Sequence, residues 1–554
     1  MTSPLLAVAA ATIHTPHIDY LSILPVLIMM GGAVLLVVVS SLVRKVLGIS
    51  ISTLVASATS VAALVAAVVQ WYHVSAHGPS VTIAGAVAFD GFAVFVQIAV
   101  SMAMLLTALV ADGYLRREGA DGPELHVLAL LSASGAMLMG EANDLIVVFL
   151  GLEILSIALY VLAASNHKRA ESGEAALKYL ILGGFSSAIF VYGIALVYGA
   201  TGSTNLPEIA DYLARNFVAS NGVLLAGLAL LLVGFGFKVA AVPFHMWSPD
   251  VYQGSPSPIT GFMAAVAKVG AFAALLRVFM SSFGTLRTDW QPAIWGLAVL
   301  SLVVGAVLAL SQTDVKRMMA YSSINHAGFI LLGVQAATVQ GVSASLYYVF
   351  TYLFAVVGTF AVITVVARDG DTGHQLADYR GLARRQPVLA LAFVVLLLAQ
   401  LGAPFTTGFL AKFEVVAAAA DAHSYALAAV AMASAAIAAF FYLRLAVAMF
   451  SPPGPVGDVA LAGASPSGQS AADGAATGAG VALAFAAAGD PFAEPASLAV
   501  LTEEAPEPDV ATRRVAVPPL TAAAIALCVA FTIVFCIVPA PSVDFAHQAT
   551  LLLH

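Results

Sequence analysis

The chain has 554 residues, 61% of them hydrophobic and only 9% charged, with a mean hydropathy of +0.97. A soluble domain carries about 25% charged residues, so this composition excludes a soluble globular protein and indicates a polytopic membrane protein. The formal net charge of −8 says little about partners, because much of the acidic excess falls in one segment, 451–514.

The start, "MTSPLLAVAAATIHTP", lacks a basic n-region, so a cleaved signal peptide is not expected. Apolar runs near the roughly 20 residues that a span requires then recur fourteen times. The first seven lie near 20–43, 49–72, 89–111, 125–140, 143–165, 173–200 and 221–243. The others lie near 257–280, 291–310, 316–336, 340–367, 388–419, 422–450 and 516–538. Alternating ten-residue segments of the barrel type do not appear, and the expected fold class is an all-α polytopic bundle. The two cysteines, Cys528 and Cys536, share the last apolar run. That placement argues against a disulfide framework, a zinc site or an iron–sulfur site.

Basic residues alternate in their placement. Arg44-Lys45, Arg116-Arg117, Lys168-Arg169, Lys316-Arg317, the Arg368/Arg380/Arg384/Arg385 group and Arg513-Arg514 fall on one side of the predicted spans, 14 in all. Only Arg215 and Arg287 fall on the other. The basic side is therefore expected to face the cytoplasm, with both termini outside. Segment 451–514, rich in Ala, Gly, Ser and Pro, reads as a flexible cytoplasmic linker.

Six cations remain within spans: Lys178, Lys238, Lys268, Arg277, Lys412 and Arg444. A cation at the bilayer centre costs about 2.5–3.5 kcal/mol on insertion scales, and recurrence across many spans demands a reason. Glu153 in "FLGLEILSIALY" and His326 in "YSSINHAGFI" are central in their spans. Lys178 lies near a span end, where snorkelling is the structural alternative. For Lys238 and Lys412 the alternative is a static ion pair that fixes helix packing, and for His326 a satisfied core histidine. Arg277 and Arg444 read as structural or interfacial groups.

Two spans are interrupted beside a lysine, "GFGFKVAAVP" (234–243) and "GAPFTTGFLAKFE" (402–414). Irregular backbone at membrane depth survives only where protein or a water-filled cavity satisfies it, and discontinuous helices in corresponding positions point to an ion site. With spans four to eight as one unit and nine to thirteen as another, Lys238 and Lys412 each fall in the fourth helix. Glu153 and His326 each fall in the second. Five is odd, so the units are expected to be inverted repeats. The expected organisation is a three-helix segment (1–120), a first repeat (121–285), a second repeat (286–450), the linker (451–514) and a last span (515–554).

At these residues the sequence resembles the antiporter-like membrane subunits of NADH:quinone oxidoreductase, respiratory complex I. The run "FKVAAVPFHMWSPDVYQGSPSPITGFMAAVAKVGAF" (237–272) is most similar to subunit N, supported by "GLEILSIALYVL", "EAALKYLILGGFSSA", "DVKRMMAYSSINHAGF" and "GAPFTTGFLAKF". "HMWSPDVYQG" differs from the His-X-Trp-Leu-Pro-Asp-Ala-His pattern of the related subunits, and the long 451–514 segment departs from the usual pattern.

The resemblance implies a midplane proton relay of Glu153, Lys178, Lys238, Lys268, His326 and Lys412. Glu153 and Lys238 would form a coupled pair modulated by Lys178. Lys268 and His326 would carry the proton laterally, and Lys412 would govern exchange with the outside. Pro243 and His245 would shape access at the first break, which would let water reach Lys238. Lysine suits such work because burial and a nearby carboxylate move its proton affinity in opposite directions, whereas arginine stays charged. No cofactor or metal is expected in this chain; FMN, iron–sulfur clusters and a quinone would serve the whole complex from other subunits. Expected partners are adjacent membrane subunits and the lipid bilayer, and no nucleic acid. The competing readings are a subunit of a multisubunit Na⁺/H⁺ antiporter and a non-transporting scaffold with frozen charges.

Overall fold

The computed structural model describes residues 18–42, 45–46, 49–120, 122–216, 222–452 and 516–549. Arg44, Arg513, Arg514 and all but the first two residues of the 451–514 segment lie outside the described residues. The described chain is built of helices, with two short antiparallel strand pairs as its only sheets.

Helices α1 (Leu24–Leu42) and α2 (Ile51–His77) are separated by the pair β1 (Lys45–Val46) and β2 (Ile49–Ser50). A second pair, β3 (Ser80–Thr82) and β4 (Val87–Phe89), leads to α3 (Gly91–Glu118). The first predicted five-helix unit comprises α4 (Glu124–Glu141), α5 (Leu145–Ala163), α6 (Ala170–Thr201), the short α7 (Leu206–Arg215) and α8 (Gly222–Lys238). It closes with α9 (Ser248–Gly254) and α10 (Ser257–Phe262), which passes through a π-helical turn, Met263–Ala267, into α11 (Lys268–Ser281). The second unit has α12 (Arg287–Leu310), α13 (Val315–Ala336), α14 (Val339–Val366) and the one-turn α15 (Leu382–Arg385). It continues with α16 (Pro387–Leu401), α17 (Thr407–Asp421) and α18 (Tyr425–Phe450). Beyond the linker come α19 (Pro519–Ile537) and α20 (Ala540–Gln548).

Ten helical segments among the described residues are long and apolar enough to cross a membrane. The other four predicted spans are helical as well. Of these, α8 and α16 are shorter apolar helices, stopped by the two breaks, while α4 and α13 carry more polar side chains. Helix starts follow capping chemistry: Asp90, Asp144 and Asp314 each accept a hydrogen bond from the first turn of α3, α5 and α13, at 2.8, 2.8 and 2.9 Å.

Residues 257–279 of α10–α11 are all buried, and the apolar windows of α14 and α3 are 94% and 83% buried. These helices and α13, buried at every position but Arg317, form the core. Small residues permit close crossings: a Cβ on Gly135 of α4 would lie 2.5 Å from the Leu155 nitrogen of α5. One on Gly305 of α12 would lie 2.6 Å from the Asn325 nitrogen of α13.

One device occurs twice. At the start of α5, Leu145 N donates to Thr204 O and Leu206 N to Asn143 O, both at 2.9 Å, bridging Asp144 and Asn205. At the start of α13, Val315 N donates to His374 O and Leu376 N to Thr313 O, both at 2.8 Å, bridging Asp314 and Gln375. Each bridge ties the start of a unit's second helix to the chain that follows its third. Helix α5 runs from the first bridge to the loop holding Arg169, which donates to the Asp371 carbonyl beside the second bridge. The two bridges therefore sit at opposite ends of the bundle. The basic side chains gather at the second end, where Arg117 reaches the Thr364 and Ala367 carbonyls and Lys168 the Glu118 carbonyl.

Lys316 departs from its expected place. The sequence places it in a basic loop, yet it is the second residue of α13, wholly buried and paired with Asp371 at 3.1 Å. A loop acid that folds inward supplies the partner that lets the ammonium leave water.

Candidate functional site

Lys238 ends α8. Beyond it the chain turns through Ala240 at φ +58° and a cis Val242–Pro243 bond before α9 begins. The side chain points inward, 3% exposed, and Nζ donates to Ser156 Oγ at 2.7 Å and to Tyr179 Oη at 3.3 Å. Tyr179 stacks on Trp247 at 4.5 Å, and the Trp247 indole N–H donates to the Phe237 carbonyl. These contacts fix the lysine's helix end against α5 and α6.

Glu153 does not touch Lys238. Its carboxylate accepts from Ser187 on α6, and among the described residues neither group forms an ion pair with the other. Beside Lys238 lies a cavity of about 10 Å³ lined by Ser156, Ser187 and Lys238, room for about one water molecule. The two members of the expected coupled pair thus make no direct contact: Ser187 holds Glu153 and Ser156 holds Lys238. Ser156 lies one helical turn beyond Glu153 on α5, so one element presents the carboxylate and the hydroxyl.

Lys178 belongs elsewhere. It is 42% exposed and pairs with Glu174 and Asp250, each at 2.7 Å, rather than with Glu153. Asp250, on α9, also pairs with Arg317 of α13 at 2.6 Å. Together they line an open polar vestibule of about 670 Å³ at the basic end, with Arg169, Arg368 and Asp378 among its walls. Burial alone would raise the Asp250 carboxyl, but hydrogen bonds from Lys178 and Arg317 hold it below the usual carboxylate range. Pro243 is exposed and His245 half-buried, on the turn between α8 and α9. The break places them at the bundle surface while Lys238 stays enclosed, so in this conformation the break does not open onto the lysine.

The remaining groups run through the core. Lys268 follows the π-helical turn, donates to the Ser323 carbonyl on α13 and lies 5.1 Å from the centre of the Tyr352 ring. Enclosure of α10–α11 rules out snorkelling for it. The Ser323 hydroxyl also meets Tyr252 Oη at 3.2 Å. His326 is held on both ring nitrogens, by Tyr348 Oη at 2.7 Å and Tyr442 Oη at 3.0 Å. A second cavity of about 10 Å³, lined by His326, Tyr352, Gln400 and Thr407, separates it from the start of α17. There Lys412 donates to the Leu401 carbonyl at 2.7 Å, capping α16, and sits 4.6 Å over the Phe329 ring.

Arg277 and Arg444 are structural. Arg277 makes a bidentate pair with Asp90, both bonds 2.8 Å, and donates to the Gly140 carbonyl. Arg444 caps α12 through the Leu310 and Gln312 carbonyls. Sequence reasoning missed the hydroxyls Ser156, Tyr179, Ser187, Ser323, Tyr348 and Tyr442. Ser156 and Ser323 lie three residues from Glu153 and His326, and Tyr179 is next to Lys178, but Ser187 and Tyr348 have no charged residue or histidine within four positions, so spacing gave no usable signal.

The buried amines and the imidazole each lie against hydroxyls, carbonyls or rings, and no cluster of His, Cys, Asp and Glu fit for a metal occurs among the described residues. Residues 142–438 match the family described as NADH:quinone oxidoreductase/Mrp antiporter, TM. NADH-quinone oxidoreductase subunit N of Parafrankia sp. is 42% identical, covering 80% of this chain and 88% of that one. A chain of respiratory complex I from Thermus thermophilus with bound aureothin superposes with a TM-score of 0.72 at 30% identity, over 94% of this chain and 99% of that one. A chain of the Mrp complex from Dietzia sp. shares the fold alone, with a TM-score of 0.76 at 22% identity over 96% of both. The chain belongs to the NADH-quinone oxidoreductase subunit N family of antiporter-like membrane subunits.

Proposed function

We propose that this chain moves protons across the membrane as a non-redox subunit of an NADH:quinone oxidoreductase, driven by electron transfer in other subunits. The observation that carries the reading is the arrangement of this pair: Glu153 held by Ser187, Lys238 held by Ser156, and a water-sized cavity lined by both serines and the lysine. An ammonium is favoured by a nearby carboxylate and disfavoured by dry surroundings. A small approach of Glu153 through that cavity would load Lys238, and withdrawal would release the proton onward. Lys268, His326 and Lys412 continue the route through Ser323, Tyr352 and the second cavity. Lys178 serves at the vestibule, where Glu174 and Asp250 pair with it and Arg317 adds a fixed positive charge.

The repeated bridge at opposite ends supports the inverted five-helix units. The gathering of basic side chains at one end supports a cytoplasmic vestibule with the termini on the other side. Fourteen spans then follow, with α8 and α16 each continued across the membrane by the segment beyond the break. The partners are adjacent membrane subunits and the bilayer.

Inverted membrane vesicles carrying Lys238→Met test this. The reading requires NADH-driven acidification to fall while the complex, with its flavin and iron–sulfur subunits, still co-purifies and oxidises NADH in the presence of an uncoupler. Undiminished acidification would overturn the relay. Co-purification with antiporter subunits lacking flavin and iron would favour Na⁺/H⁺ exchange instead.

A further inference from the structure

Asp371 lies in the chain between α14 and α15, yet its side chain is wholly buried. Its backbone adopts φ +55°, a left-handed conformation uncommon for a non-glycine residue. Both carboxylate oxygens are engaged. Ser257 donates from its hydroxyl at 2.7 Å and from its backbone nitrogen at 3.0 Å, and Lys316 donates at 3.1 Å. Arg169 lies 3.8 Å from one oxygen and donates to the Asp371 carbonyl at 2.7 Å, while His374 Nε2 lies 3.4 Å from the other. Lys316 also reaches the Ser255 carbonyl at 2.5 Å.

Three helices begin at this knot. Arg169 is the N-cap of α6, Ser257 the first residue of α10, and Lys316 the second of α13. Counting along each helix gives a common depth. Tyr179 lies ten residues from Arg169, Lys268 eleven from Ser257, and His326 ten from Lys316, all about 15 Å in at 1.5 Å per residue. One carboxylate therefore sets the register of the tyrosine that holds Lys238, of Lys268 and of His326, across both predicted units.

We propose that Asp371 is a positioning residue for the proton route, pinning the starts of α6, α10 and α13 so that the first unit's relay groups stay level with His326 in the second. A buried support shell of this kind, with both carboxylate oxygens hydrogen-bonded, is what holds transfer groups to the tolerance their chemistry needs. This inference rests on the relay reading above.

The test uses the assembled complex in inverted vesicles, reading protons moved per NADH oxidised alongside uncoupled NADH oxidation. Asp371→Asn keeps the shape but removes the charge; the ratio is expected to fall at least about twofold, since misplacement near 1 Å can cost up to about 10²-fold. Uncoupled oxidation should stay native, which a purely structural defect in assembly would not allow. Asp371→Glu should recover part of the ratio. Ser257→Ala, which removes one hydrogen bond and no charge, gives the readout if the asparagine variant does not assemble. A native ratio in assembled Asp371→Asn, or a native ratio in Ser257→Ala where Asp371→Asn fails to assemble, overturns the proposal. Lys238→Met run in parallel separates the two ideas. Native pumping there removes the relay itself, whereas lost pumping there beside native pumping in Asp371→Asn removes only the positioning role.

Discussion

Lys238 and Lys412 each lie beside a break, one before it and one after it, and their surroundings differ. Lys238 closes α8 and bonds only hydroxyls, Ser156 and Tyr179, beside a water-sized cavity that Ser187 also lines. Lys412 sits past the break, inside α17, where it caps the Leu401 carbonyl and covers the Phe329 ring. The first lysine touches side-chain hydroxyls alone among its hydrogen-bond partners, while the second ties the end of α16 to α17. A lysine beside a break thus carries different amounts of structure in the two places.

The largest expected effects separate these roles. Lys238→Met should cut proton movement through this chain by on the order of a hundredfold, the scale on which a positioned proton-transfer group acts, with little change in thermal stability. Lys412→Met should lose comparable pumping and also cost about 1–3 kcal/mol, because the Leu401 carbonyl loses that donor. Calorimetry of the purified complex beside the acidification assay checks the contrast; equal stabilities would break it.

Hydroxyl removal sharpens the comparison at smaller scale. Ser156→Ala should slow pumping by on the order of tenfold, from the loss of a hydrogen bond to a charged group. Tyr442→Phe does the equivalent on the second side by freeing His326 Nε2. If Ser156→Ala pumps at the native rate, the proposed Glu153–Lys238 pair is not the route. Gly402→Ala follows. That residue sits at φ +81°, and an added Cβ would come 2.7 Å from Lys412 Cδ. The substitution should cost about 1–2 kcal/mol in backbone strain and displace Lys412 from Leu401, leaving the Lys238 side untouched.

The smallest effect concerns pH at the basic end. Burial opposes ionisation of Asp371, but Lys316 and hydrogen bonds from His374 and Ser257 hold its carboxyl well below the usual range; Asp250 is held down by Lys178 and Arg317. A depressed carboxylate contributes stability that is fully present above its unfolded value, about pH 4. That stability is lost as pH falls toward the lower folded value. Thermal unfolding below about pH 4 should therefore steepen with acid, and Asp371→Asn should flatten that dependence. An unchanged slope would mean these charges are not linked to folding.

Much of this was legible because lysine in an apolar run is expensive and glycine with proline breaks a helix: both lysines and both breaks are visible in the letters. Serine in an apolar helix carries no such signal, so Ser156 and Ser187 emerge only when α5, α6 and α8 pack. Asp371 was hidden for a different reason. In "ARDGDTGHQLADY" it looks like an ordinary solvated loop acid, and only the tertiary approach of Arg169, Ser257 and Lys316 shows it to be buried. The partners of Lys178 were not legible, because "EAALKYL" does not reveal that Asp250, 72 residues on, turns toward it. Nor do the letters show that Glu153 is held by Ser187 and Lys238 by Ser156.

The central claim is that Lys238 works by binding and releasing a proton, rather than by contributing a fixed charge. Lys238→Arg preserves the charge and can still reach hydroxyl acceptors, but guanidinium does not deprotonate. In the reconstituted complex, the claim predicts that Lys238→Arg assembles, oxidises NADH under uncoupled conditions, and moves as few protons per NADH as Lys238→Met. A native proton ratio with arginine at this position would contradict it.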